Sequence, residues 1–287
     1  VSLPSNINPQ NMYLFNHQVK TKAKATNQKQ SGRCWIFAAL NFMRSKFIEA
    51  NKLPTDFEFS ESYLFFWDKF ERMNYLINKF ETLKDTDLND RTLQFLLKDP
   101  MCDGGQWQMF VNLVEKYGLV PKSVCPETTH TSNSSGINMI LSKKLREYCS
   151  QIRDANSAFD KKKALKETYD ILVKFFGVPP SEPFTWEYKD KDGKFQRKTE
   201  LSPQKLYKEL SSINLKDYVS LTNDPRNDFD TIFCVDHLNN IQEGDPVLYY
   251  NVEINKMKDA LKKSIDDNEP VWFGCDVGQF LHSKTNI

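Results

Sequence analysis

The sequence predicts an α+β protein, with helices filling the first 180 residues and short strands gathering after them. Three observations predict it. From Cys34 to Ala50 apolar residues recur at helical spacing, and the run Trp35 to Phe42 is interrupted only by Asn41. A second helical run carries Tyr63, Phe66, Trp67, Phe70, Tyr75, Ile77 and Phe80. After Pro179-Pro180 the pattern changes: Phe184-Thr185-Trp186-Glu187-Tyr188 and Lys194-Phe195 flank Asp190-Lys191-Asp192-Gly193, which reads as a hairpin.

Taken in order, Val1 to Ala25 is weakly patterned, with a turn signal at Asn8-Pro9, and reads as an arm. Thr26 to Gly32 is polar and leads through the glycine into the helix 34–50, which Lys52-Leu53-Pro54 ends. That helix is apolar on most sides in its first half, so its first half is buried. Ser60 is placed to cap a helix running to about Lys79. Its aromatic stripe reads as core. Lys84 to Arg91 is a charged loop, and Leu93 to Leu97 is a short apolar piece stopped by Asp99-Pro100. Asp103-Gly104-Gly105 precedes a helix from about Gln106 to Tyr117, ended by Gly118. Thr128 to Gly136 reads as a polar loop holding His130. Met139 to Phe176 is helical with a break near 154–158, since Leu141, Leu145, Tyr148 and Ile152 recur at spacings of three and four. Ser202-Pro203 opens a short helix. Tyr218 to Leu221, Thr231 to Val235 and Val247 to Val252 read as strands. Asn255 to Asp266 reads as a helix with Met257, Leu261 and Ile265 on one face, and Pro270 to Cys275 as a buried strand.

Composition narrows the function. A chain of 287 residues is enough for one large domain or two modest ones, and 39% hydrophobic content with 21 Phe supplies a sizeable core. A net charge of +1 argues against a bulk electrostatic partner such as nucleic acid. Lys143-Lys144 and Lys161-Lys162-Lys163 sit among acids and read as solvated helix faces. No run approaches the roughly 20 apolar residues of a membrane span. No charged-then-apolar leader is visible, although a start at Val1 is compatible with one having been removed. The cysteines, at 34, 102, 125, 149, 234 and 275, are scattered, and no spacing suggests a metal site or a cofactor.

Cys34 is the candidate nucleophile. It stands where Gly32 permits a tight turn into a buried helix, and the unpaired N–H groups and macrodipole of a helix N-terminus favour a thiolate. Six residues earlier, Gln28 can aim an amide donor at an oxyanion built on Cys34, and the Cys34 N–H supplies a second donor. A lone cysteine on a core helix is more often structural; here the surrounding residues reverse that reading.

The segment Asn27-Gln28-Lys29-Gln30-Ser31-Gly32-Arg33-Cys34-Trp35-Ile36-Phe37 resembles the active-site segment of papain-like cysteine peptidases, in particular the bleomycin hydrolase and aminopeptidase C branch. Phe59 to Asp68, Asp103 to Trp107, Phe184 to Tyr188, Asn223 to Arg226 and Val271 to Gly278 resemble that branch in the same order. The resemblance implies a helical half followed by an antiparallel β-barrel half that is only begun here. It divides the chain into 1–127 (arm and helical half), 128–244 (an inserted, mainly helical subdomain) and 245–287 (the start of the β-rich half). It implies that Cys34 attacks the scissile carbonyl with Gln28 as oxyanion donor, and that Asp103, Gly104 and Gly105 lie beside the peptide substrate. It further implies an aminopeptidase acting on peptides and related amides, bleomycin among them, and a homohexameric ring. Secreted papain-like enzymes commonly bridge the position before the Gly-Gly segment to a cysteine three residues before the nucleophile. Here Cys102 faces Ser31, so that bridge cannot form, which fits a cytoplasmic protein.

The chemistry also needs a histidine to accept the thiol proton and return it to the leaving amine, and an asparagine to orient that imidazole. In the resembled family the histidine follows the strand matched by Val271 to Cys275. His17, His130 and His237 precede it, and His282 lacks the apolar strand expected around it. The histidine and asparagine are therefore expected beyond Ile287. The rival reading is a catalytically silent scaffold of the same fold, or an assembly protein binding nucleic acid. The pairing of Gln28 with Cys34 and the near-neutral charge weigh against both.

Overall fold

The computed structural model describes residues 15–20, 23–180, 182–210 and 213–275. The Asn8-Pro9 turn and His282 lie outside them. Helix α1 (Cys34–Ala50) is sheathed by its neighbours, with Trp35, Ile36, Phe37, Ala39, Leu40, Phe42, Met43, Phe47 and Ile48 all buried. Helix α2 (Glu61–Thr82) starts as the sequence indicates: the Ser60 hydroxyl accepts the Tyr63 N–H at 3.0 Å and donates to the Cys125 carbonyl. The cap therefore also ties the helix to the 121–127 segment. Helix α3 (Arg91–Lys98) is capped by Asp90 and buries only Leu93 and Leu96. Helix α4 (Trp107–Tyr117) ends at Gly118, whose φ is +70°.

The polar loop expected over 128–136 is instead a single helical turn, α5 (Thr129–Ser132), followed at once by α6 (Ser135–Arg153). Reciprocal bonds between Thr128 and Thr131 form a capping box, and Thr131 is wholly buried. Thr and Ser here satisfy the backbone internally, so a polar composition does not mean a solvated loop. Helix α7 (Lys161–Phe176) joins α6 in packing on α2. The span 128–244 thus shares one core with the preceding helices: Leu141, Leu145, Leu172 and Phe176 belong to the cluster that contains Trp35 and Phe65.

Strands β1 (Phe184–Lys189) and β2 (Phe195–Leu201) form the expected antiparallel hairpin. Trp186 turns inward against Phe57, with ring centroids 5.7 Å apart, and against Phe47 of α1 at 6.5 Å, which docks the hairpin on α1. Helix α8 (Pro203–Leu210) follows. A three-stranded sheet then has the order β3 (Leu221–Thr222), β5 (Leu248–Asn251), β4 (Thr231–Cys234), with β3 parallel and β4 antiparallel to β5. The expected strand 218–221 is reduced to β3, because Tyr218 closes a 3-10 turn over Leu215–Asp217.

Helix α9 (Ile254–Asp266) forms where its periodicity places it, but none of its residues is buried. Residues 270–275 depart from expectation: they are not a strand, and Val271 and Phe273 are exposed. No strand among the described residues lies beside this segment to take its backbone groups. Trp272 is anchored, its Nε1–H donating to the Trp35 carbonyl at 3.3 Å.

Candidate active site

Cys34 is the first residue of α1 and is exposed, although the helix it begins is buried. Its Sγ faces the Gly32 carbonyl at 3.9 Å, and among the described residues no histidine bonds to it. The loop before it is closed by two reciprocal contacts: Gln28 Nε2 donates to the Ser31 carbonyl at 2.5 Å, and the Ser31 hydroxyl donates to the Gln28 carbonyl at 2.7 Å. Gln28 and Cys34 are thus carried on the two ends of one short rigid turn. The second N–H of the Gln28 amide has no partner among the described residues.

That turn is held from two sides. On one, Arg33 runs inward with no exposed surface, its guanidinium carbon over the rings of Phe37 and Phe65 at 5.1 and 5.3 Å. It makes a bidentate pair with Glu127 at 2.9 and 2.8 Å, and its Nε donates to the Ser31 hydroxyl at 2.9 Å. Burial alone would raise the Glu127 pKa; the bonds and charge of Arg33 and the Thr131 hydroxyl outweigh it and hold the carboxylate below its ordinary value. The Gln30 N–H meanwhile donates to the Ser132 carbonyl at 3.0 Å.

On the other side stands Asp103. Its Oδ2 accepts the Gly32 N–H at 2.9 Å and the Ser134 hydroxyl; its Oδ1 takes Lys69 at 2.8 Å and Asn138 at 2.6 Å. Its main-chain carbonyl accepts the Trp35 indole N–H at 2.6 Å. Desolvation would raise this carboxyl, but the Lys69 charge and these donors hold it well below the usual carboxylate range. Lys69 is fully buried and also donates to the carbonyls of Met101 and Cys102. Burial outweighs the Asp103 charge and holds its ammonium below its ordinary value, while Gly32, Ser134 and Asn138 also donate to Asp103.

Sequence reasoning placed Asp103, Gly104 and Gly105 together beside substrate, and the structure distinguishes them. The Asp103 carboxylate points inward and is saturated by protein donors, so it fixes the turn before Cys34 and has nothing left for a peptide. Gly104 is exposed, and its carbonyl is held by Arg72 at 2.8 Å. Gly105 lies against the Trp35 indole, where a Cβ would come within 2.5 to 2.8 Å of ring carbons. The glycine keeps that segment tight against the start of α1.

Arg33, Lys69, Arg72 and Glu127 were not singled out from the sequence. A signal existed for two of them. Asp68-Lys69 and Glu71-Arg72 interrupt an aromatic helix apolar on most sides, and charges in such a place must be paired. For Glu127 there was none, since 94 residues separate it from Arg33. The histidines among the described residues do not reach the site by hydrogen bonding: His17 Nδ1 pairs with Asp266 at 2.7 Å, the His130 ring packs on Phe175, and His237 has a left-handed backbone with no partner for Nδ1.

The model of the peptidase C1-like family matches residues 1–287. Aminopeptidase C of Listeria innocua is 42% identical over 281 residues, 96% of this chain and 63% of that protein. Bleomycin hydrolase of Homo sapiens is 41% identical over 290 residues, with the same two shares. The crystal structure of PepW from Lactobacillus rhamnosis superposes with a TM-score of 0.88 at 42% identity, over 93% of this chain and 61% of that one. The chain therefore spans a little under two thirds of the length of these relatives.

Proposed function

The chain belongs to the peptidase C1-like family, and from that premise we propose that it carries the nucleophile and oxyanion site of a thiol-dependent aminopeptidase acting on peptides and related amides. The observation that carries this reading is the exposed Cys34 thiol at the head of a buried helix, on the same braced turn as the Gln28 amide. Attack of Sγ on a carbonyl carbon forms the C–S bond and moves the carbonyl electrons onto oxygen. The Cys34 N–H and the free N–H of Gln28 are the donors for that oxyanion. Collapse then expels the amine, which must gain a proton as the C–N bond breaks, and water later frees the acyl group from sulfur. We assign the proton relay to none of His17, His130 and His237: His17 pairs with Asp266, His130 packs on Phe175, and among the described residues none of the three hydrogen-bonds to Cys34. The exposed Gly104 edge is the surface against which an extended peptide would lie. A cytosolic location is supported by Ser31, which leaves Cys102 without the partner that secreted relatives supply.

The test is hydrolysis of aminoacyl fluorogenic amides, with free and acetylated N-termini, by the product of the complete reading frame. Cys34→Ala should lower kcat by on the order of 10⁴–10⁶, as removal of a covalent nucleophile does. Gln28→Ala should lower kcat by on the order of 10²–10³ with KM little changed. A Cys34→Ala enzyme retaining a tenth of the activity would sink the reading. Equal turnover of acetylated and free substrates would leave a thiol peptidase but remove the aminopeptidase assignment.

A further inference from the structure

We propose that Glu127 is a positioning residue for the oxyanion donor, acting on Gln28 through Arg33 and the Ser31 hydroxyl. The inference rests on the reading of Gln28 given above.

The argument is one of hydrogen-bond direction. A serine hydroxyl has one proton, and its rotor turns to suit its neighbours. Guanidinium can only donate, so the Arg33 Nε–H at 2.9 Å obliges the Ser31 oxygen to accept. The hydroxyl proton is thereby committed outward, to the Gln28 carbonyl at 2.7 Å. That bond and the return bond from Gln28 Nε2 to the Ser31 carbonyl fix the turn that presents the remaining amide N–H. The orientation of Gln28 therefore depends on the plane in which the guanidinium lies. The Phe37 and Phe65 rings pack against the guanidinium, 5.1 and 5.3 Å from its carbon, but ring contacts allow it to rotate in its own plane. The in-plane setting comes from Glu127, whose two oxygens take the two terminal nitrogens at 2.9 and 2.8 Å. Glu127 is itself fixed by the Thr131 hydroxyl at 2.8 Å, and Thr131 takes a further bond from Ser62 on α2. The one-turn helix α5 thus anchors a carboxylate whose effect is felt at Gln28, while Glu127 makes no hydrogen bond to either Gln28 or Cys34.

Glu127→Gln presents one acceptor and one NH₂ to a guanidinium that needs two acceptors, so the fork must rotate. The expected result is a 10- to 100-fold fall in kcat with KM within about twofold, the size of effect a misplacement of about 1 Å produces. A merely structural lesion could lower kcat too, so the deciding measurement is a double-mutant cycle with Gln28→Ala. If Glu127 acts through Gln28, Glu127→Gln should cost less than threefold in the Gln28→Ala background. Full multiplication of the two effects would overturn the inference while leaving Gln28 as oxyanion donor. No effect of Gln28→Ala alone would overturn both readings. If Glu127→Gln does not fold, Ser31→Ala breaks the same relay without disturbing the ion pair and should show the same non-additivity with Gln28→Ala. Additivity there would overturn the relay.

Discussion

Two parts of the molecule carry similar apolar patterns and meet different fates. Around α1, α2 and α4 the apolar faces are covered, and the charges taken inside with them are paired: Lys69 with Asp103, Arg72 with Asp68, Arg33 with Glu127. On the outer side of the small sheet, on α9 and after it, the pattern persists without the cover. Helix α9 has no buried residue, Ile232 on β4 is 67% exposed, and Phe273 is 74% exposed. The cross-strand pairs Ile232–Tyr250 and Cys234–Leu248 place an apolar row on one side of the small sheet, and all four residues are exposed. The difference teaches that periodicity reports a face and not what lies against it. Where the covering elements are within the described residues, the face becomes core and can support buried charges. Where they are not, it stays open.

The contrast is tested hardest at Asp103. Removing one partner of a buried ion pair leaves the other charged and uncompensated, typically at a cost of 3–5 kcal/mol. Asp103→Ala strips Lys69 of its counter-charge and leaves Gly32, Ser134 and Asn138 without their acceptor. Urea unfolding should show a loss of about 3–5 kcal/mol. A loss under about 1 kcal/mol, the range of an exposed pair, would mean that this half is no more tightly built than the other. The pH dependence has a defined sign. A carboxyl whose folded pKa is depressed contributes stability above its unfolded value of about 4, and that stability is lost as pH falls through and below it. Asp103 and Glu127 are both depressed. The urea midpoint should therefore drop between pH 6 and pH 3, and drop less in Asp103→Asn.

A smaller effect separates two adjacent glycines. A methyl at Gly105 would meet the Trp35 ring, whereas one at Gly104 meets nothing within 4 Å. Gly105→Ala should cost about 1–3 kcal/mol through overpacking. Gly104→Ala should stay within about 0.5 kcal/mol. If Gly104→Ala raises KM while leaving stability unchanged, the exposed edge is where a peptide lies. Equal stability losses at both positions would mean that the segment is not seated against Trp35 as described.

What could be read in the sequence follows the same division. The helix from Cys34 to Ala50, the Ser60 cap, the Gly118 stop and the Asp190–Gly193 hairpin turn were legible because each is a local signal: spacing, a capping side chain, a residue tolerant of positive φ. That Gln28 and Cys34 share the turn into α1 is legible because they sit only six residues apart. The saturation of Asp103 was not, since its donors come from positions 32, 69, 134 and 138. The turn at Thr129–Ser132 reads as a loop in the sequence because polar residues that bond one another inside the protein have the same composition as a solvated loop. The segment 270–275 reads as a buried strand in the sequence, but a buried strand is a statement about neighbours, and its own residues carry no information on whether neighbours are there.

The smallest expected effect tests the open side of the comparison. On α9, Leu261 is 41% exposed and sits on the face with Met257 and Ile265, both only half-buried. The helix is held at its ends by polar contacts, Lys256 with Asp230 and Asp266 with His17, and not by apolar packing. Leu261→Ala in the 287-residue chain removes methyl groups that are already largely wet and opens no cavity. It should change stability by no more than about 0.5 kcal/mol, against the 2–5 kcal/mol that Leu→Ala costs in a core. Leu64→Ala on α2, a fully buried leucine, is the paired control and should fall in the second range. Amide exchange should agree, with α9 exchanging through local opening while α2 exchanges only on global unfolding. A Leu261→Ala loss above about 2 kcal/mol would show that α9 is packed in solution against a surface other than those the described residues provide. The two regions would then differ in which partner covers them, and not in whether one does.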